Sequence, residues 1–66
     1  MTIDSQYKIN LINEKKELDH KIRNLADFLL TDIFKTVART EQTLLKQQLR
    51  IMRDYSNILD KRHRYF

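Results

Sequence analysis

Lys46, Arg50, Arg53, Asn57 and Lys61 recur at steps of four, three, four and four, so on a helix they share one face. No acid stands four residues before any of the first three, so nothing local neutralises them. A ridge of this kind suits an anion: the phosphates of a nucleotide, a nucleic acid or an acidic partner. Arginine at two central positions adds a planar fork that can hold a phosphate by two hydrogen bonds. The plainer reading is a solvated helix face with a positive bias. The run Lys61-Arg62-His63-Arg64 likewise has a structural role, because cations complement the negative end of a helix dipole. Tyr65 and Phe66 would then fold back or pack on a neighbouring subunit. At the other end of the chain Tyr7 precedes Lys8. A tyrosine ring can stack on a base, worth about 1–3 kcal/mol, while a lysine meets its phosphate. It can equally extend a core by one turn.

Catalytic constellations are lacking. Ser5 and Ser56 have no His–acid arrangement near them in the sequence, and His20 falls on the polar side of its helix. With no glycine at all, neither a P-loop nor a dinucleotide-binding fingerprint can be written. Two isolated histidines, His20 and His63, and unclustered carboxylates point to no metal, and nothing calls for a cofactor. An enzyme is not expected; a binding protein is.

The elements that would position these residues follow from what is missing. The chain has no Gly, no Pro and no Cys, where average usage would place about eight Gly and Pro in this length. Without the residues that make tight corners, and rich in Leu, Lys, Gln, Glu, Arg and Asp, the backbone is driven to helix. Leu11, Leu18, Ile22, Leu25 and Leu29 trace a seam at heptad spacing, with Lys15 in its one apolar vacancy and Phe28 widening its far end. This predicts a first helix over about 5–30, capped by Asp4 or Ser5, with Asp4–Lys8, Glu17–Lys21 and Asp19–Arg23 as i,i+4 ion pairs. A connector follows over about 31–40, where Thr31 or Asp32 could cap a short turn and Ile33, Phe34 and Val37 form an apolar plug. Thr40 is then expected to cap a second helix over about 41–63.

The second helix is apolar over about 180°, more than one partner needs. Leu45, Leu49, Met52 and Leu59 form one stripe, and Leu44, Ile51, Tyr55 and Ile58 form another. One stripe packs on the first helix. The block Leu44, Ile51, Tyr55 and Ile58 is expected to meet another subunit. Size argues the same way, since a 66-residue chain without disulfides or metal is marginal alone. The expected fold is all-α: a single domain, 1–66, in which a two-helix antiparallel hairpin assembles into an oligomeric bundle. The net charge of +4 is uneven, with about −1 on residues 1–32 and +5 on residues 33–66. The start Met-Thr-Ile-Asp-Ser is too polar for a secretory leader, and the longest apolar run, Phe28-Leu29-Leu30, is too short to span a bilayer. A cytoplasmic protein is expected.

The run Leu25-x-x-Phe28-Leu29-x-Thr31-x-x-Phe34, followed by Glu41-x-x-Leu44-Leu45-x-x-Gln48-Leu49-x-x-Met52-x-x-Tyr55-x-x-Ile58-Leu59-x-x-Arg62, resembles a family of small phage-encoded helical-hairpin proteins, common in crAss-like and Firmicutes phages. The likeness covers about Leu11 to Arg62. That family is similar in architecture to the anti-CBASS and anti-Thoeris sponges, which assemble helical hairpins into oligomers, commonly hexamers. Those sponges hold cyclic nucleotide signals between subunits without cleaving them. The resemblance implies a homo-oligomer acting in the cytoplasm of an infected bacterium, with Tyr7 stacking on a base. Lys8 and basic residues of an adjoining subunit would hold phosphates, the candidates being Lys15, Arg39, Lys46, Arg50 and Arg53. The Ala-rich, Trp-containing second-helix motif of the better-known sponges is not present here.

Two other readings stay open. The spare stripe could dock a host defence protein, making the chain a protein-interaction module. The basic ridge could bind nucleic acid, which ranks last because +4 is modest and no third helix is expected.

Overall fold

The computed structural model describes the backbone of residues 2–65 and the side chains of residues 5–65. Three helices follow one another: α1 (Thr2–Leu29), α2 (Asp32–Lys35) and α3 (Arg39–Arg64). No strand occurs among the described residues, so the fold is all-helical, as the composition requires. The molecule is a rod of 52 × 15 × 13 Å.

α3 runs back along α1. Lys15 meets Ser56, Glu14 meets Tyr55, and Tyr7 meets Arg62, so rising numbers on one helix face falling numbers on the other. Leu11, Leu18 and Leu59 are the centre of the seam, with Ile22 and Met52 packed against them. Leu59 is 0% exposed. Of the two stripes on α3, Leu49 and Leu59 are buried and Leu45 and Met52 half-buried. Leu44, Ile51, Tyr55 and Ile58 all remain exposed.

The ends of the helices depart from the expected pattern. α1 begins at Thr2, so neither Asp4 nor Ser5 is its cap; both lie within the first turn. The side chain of Asp4, and with it the expected pair to Lys8, lies outside the described residues, as does Phe66. Thr40 does not cap α3. That place is taken by Ala38, which offers no side-chain hydrogen bond, and Thr40 falls inside the first turn. The reason lies one turn on. Gln42 Nε2 donates to the carbonyls of Val37 at 2.7 Å, Phe34 at 3.2 Å and Lys35 at 3.5 Å. The corner is thus held from inside α3, and the helix start is fixed without a capping hydroxyl.

Thr31 caps α2, accepting from the Phe34 amide at 3.4 Å while its hydroxyl donates to the Phe28 carbonyl at 2.7 Å. This turn buries Phe34, whose ring meets Phe28 edge-on at 5.9 Å between centroids. Of the expected plug, Phe34 alone is buried; Val37 is half-buried and Ile33 is exposed. At the far end, Lys61, Arg62, His63 and Arg64 fill the last turn of α3, the side of the dipole that favours cations. Tyr65 is 88% exposed.

Candidate anion-binding face

The seam between α1 and α3 has two flanks, and side-chain contacts tell them apart. On one flank Lys15 Nζ donates to Ser56 Oγ at 2.9 Å and to Asp19 Oδ2 at 3.0 Å, and Ser56 Oγ donates to Asp19 Oδ1 at 2.5 Å. Lys15, the one polar residue in the seam of α1, is therefore spent on a closed triangle around the buried Ser56. Asp19 is held below the usual carboxylate range, first by the Ser56 hydroxyl and then by Lys15. Burial opposes these hydrogen bonds, and the Lys15 and Arg23 charges add lesser effects in the lowering direction. On the other flank Tyr55 Oη donates to Glu14, and Arg62 donates to Tyr7 Oη while its guanidinium lies 5.6 Å over the Tyr7 ring.

At 100° per residue, Lys46, Arg50, Arg53 and Asn57 turn toward the Ser56 side of α3, and Lys16 and Arg23 toward the Asp19 side of α1. The Lys15–Ser56 register places Arg23 level with Lys46 to Arg50, and Lys16 level with Arg53. All of these side chains are exposed. Among the described residues, the ion pairs are Lys15–Asp19, Asp32–Lys35 and Asp60–Arg64. Lys16, Arg23, Lys46, Arg50 and Arg53 therefore have none. Two open depressions carry this charge, one lined by Thr43, Lys46, Gln47 and Arg50, the other by Lys16, Asp19, His20 and Arg23. Lys46 also lies 5.8 Å over the Phe34 ring, which steadies its ammonium at one end of the face.

The candidate residues named from the sequence are thus divided. Lys46, Arg50 and Arg53 stand together on one flank. Lys15 is beside them but engaged with Asp19 and Ser56. Tyr7 is tied to Arg62 on the opposite flank, and Arg62 occupies one face of its ring. Arg39 opens α3 and Lys8 lies near the other end of the rod, about 35 Å away at 1.5 Å rise per residue. One small ligand cannot touch both within a single chain.

Arg23 and Lys16 are additions that the sequence reading passed over. The expected Asp19–Arg23 and Glu17–Lys21 pairs do not form; Asp19 turns to Lys15 and Ser56 instead, which releases Arg23. The signal was present in Lys15 itself. A lysine inside an apolar seam must find an acceptor, and Asp19, four residues on, is the acid within reach.

A row of exposed cations without ion pairs, beside no grouping of three or more His, Cys, Asp or Glu among the described residues, is equipped to bind anions by charge and hydrogen bonds. No described helix is long and apolar enough to cross a membrane. No curated protein and no solved structure matches the chain. A family model described as Sequestin does match, over residues 5–65, which takes in both long helices, the corner between them and the basic face. The chain belongs to the Sequestin family, whose name denotes sequestration, a binding role.

Proposed function

We propose that this chain is a phage anti-defence protein that captures a nucleotide-derived immune signal, a cyclic nucleotide or an ADP-ribose derivative, and holds it intact. The observation that carries this reading is the cluster of unpaired cations shared by α1 and α3 in a chain of a sequestering family. Phosphates supply the complementary charge, and arginines at 23, 50 and 53 supply forked donors for them. The working unit is a homo-oligomer of antiparallel hairpins in the cytoplasm of an infected bacterium, with a hexamer among the sizes open to it. One chain offers only open depressions, so a second subunit completes the enclosure around the ligand. Lys46, Arg50 and Arg53 form the phosphate-binding part together with Arg23. Arg39 continues the ridge two turns before Lys46, Lys15 stands beside it engaged with Asp19 and Ser56, and Lys8 and the Tyr7 ring join where an adjoining subunit brings them near. Capture is stoichiometric, so the ligand is recovered unchanged.

Native mass spectrometry of the protein mixed with cyclic di- and trinucleotides and ADP-ribose derivatives tests this. The expected spectrum is a closed oligomer carrying an integral number of intact ligands. A bare oligomer across the whole panel at micromolar concentration overturns it. It would then favour a second reading supported by the exposed stripe Leu44, Ile51, Tyr55 and Ile58: a module that docks on a host defence protein.

A further inference from the structure

The apolar stripe of α3 is longer than the four residues that first define it. Glu41, Leu44, Gln48, Ile51, Tyr55, Ile58, Arg62 and Tyr65 follow at alternating steps of three and four, a second heptad seam beside the one that meets α1. Its apolar members are exposed: Leu44 by 52%, Ile51 by 64%, Tyr55 by 40% and Ile58 by 52%. α1 reaches Tyr55 through Glu14 and leaves Leu44, Ile51 and Ile58 at least half exposed.

We infer that this seam is covered by the same seam of a second copy, with the two α3 helices antiparallel about a two-fold axis close to Ile51. Three observations support that occupant and that geometry. The first is area. The chain exposes 5531 Å², whereas a compact monomer of its 8.1 kDa would expose about 4,500 Å². The excess, about 1,000 Å², compares with the roughly 800 Å² that each partner buries in a standard interface. The second is symmetry. Leu44 and Ile58 stand seven residues on either side of Ile51, so a two-fold axis there sets Leu44 against Ile58 of the second copy and Ile51 against itself. The third is charge. The seam carries an acid, Glu41, ten residues before Ile51 and a base, Arg62, eleven residues after it. Parallel pairing would set each against its own like, whereas antiparallel pairing sets Glu41 beside the other copy's Arg62.

This assigns a face and a symmetry to the self-association in the proposed function. It rests on that reading only for the existence of an oligomer. The pair leaves both basic flanks outward, so it can be the unit from which a larger ligand-enclosing assembly is built.

The absence of cysteine makes the test direct. Single variants Ile51→Cys, Leu44→Cys, Ile58→Cys and, on the basic flank, Asn57→Cys are oxidised mildly without ligand, after circular dichroism has confirmed their helicity. Disulfides need Cα atoms about 4.4–6.8 Å apart, so rates report proximity. Ile51→Cys is expected to link to itself at least tenfold faster than Asn57→Cys. An equimolar mixture of Leu44→Cys and Ile58→Cys is expected to give mainly the mixed disulfide. Equal rates for Ile51→Cys and Asn57→Cys overturn the interface, and self-linked Leu44→Cys outpacing the mixed product overturns the antiparallel arrangement. Sedimentation of the unmodified chain as an 8.1 kDa monomer at tens of micromolar removes the second copy as occupant and leaves the face to another protein. None of these readouts involves a nucleotide. Fast cross-linking with no ligand bound sinks the sequestration reading and keeps this interface, whereas ligand bound by a monomer keeps sequestration and sinks this interface together with the shared enclosure.

Discussion

The two flanks of one helix seam are built from the same two helices and differ in almost everything else. On the Ser56 flank the cations at 16, 23, 46, 50 and 53 reach solvent unpaired, while Asp19 is locked into a triangle with Lys15 and Ser56 and Asp60 pairs with Arg64. On the Tyr55 flank, α3 shows Leu44, Ile51 and Ile58, and the polar contacts there run across the seam, from Tyr55 to Glu14 and from Arg62 to Tyr7. The first flank keeps charge available; the second uses its polar groups to tether the helices and leaves carbon exposed. One helix can serve both because the flanks are about 200° apart around its axis, with the buried stripe between them. An 8.1 kDa chain thereby presents a charged side and an apolar side on one helix.

The comparison can be broken most severely at what the flanks share. Leu59→Ala removes the most buried side chain of the seam and is expected to destabilise the fold by about 2–5 kcal/mol. Thermal unfolding followed by circular dichroism should show both flanks lost together. A change below about 1 kcal/mol would mean that the seam is not what holds them.

Sharper tests separate the sides. Lys46→Glu combined with Arg50→Glu is expected to weaken binding of a phosphorylated ligand by at least tenfold in calorimetry and to leave sedimentation unchanged. Ile51→Glu is expected to shift sedimentation toward the monomer and, because a second subunit completes the enclosure, to weaken ligand binding with it. Unchanged sedimentation for Ile51→Glu, or altered sedimentation for the basic-flank pair, would break the division between the sides.

The smallest expected effect lies in the triangle. Asp19 has its carboxyl lowered in the folded state, so its contribution is complete above the unfolded value near 3.8 and is lost as pH falls through the lower folded one. Stability should therefore decline on acidification below about pH 4. Ser56→Ala removes the first cause of that lowering and should cost about 1 kcal/mol at neutral pH while flattening the acid limb. An unfolding series from pH 7 to pH 2 on both proteins checks it; identical acid limbs would show that Asp19 is held by Lys15 alone.

Much of this was legible in the residues. Leucines at heptad spacing fix the helices and the seam, because burial acts on side-chain spacing directly. The split between Leu45–Leu49–Met52–Leu59 and Leu44–Ile51–Tyr55–Ile58 was also readable, as these stripes differ by one residue in phase. The pairing of Asp19 was not. Local rules gave it Arg23, whereas its partner Ser56 comes from 37 residues away and depends on the register of two helices. Thr40 misled for a related reason. Cap preference describes a helix end in water, and here the end is set by Gln42 reaching back to three carbonyls.

That glutamine has a consequence for how the chain can misfold. Nothing between Leu30 and Ala38 forbids helix: there is no proline or glycine, and Thr and Val cost only a few tenths of a kcal/mol each relative to Ala. The reversal of direction is imposed by side chains, Thr31 on one side and Gln42 on the other. The competing state is therefore a single uninterrupted helix about 95 Å long rather than a random coil. Two chains opened in this way would expose complementary halves and rebury them by exchange, each lending its α3 to the other's α1.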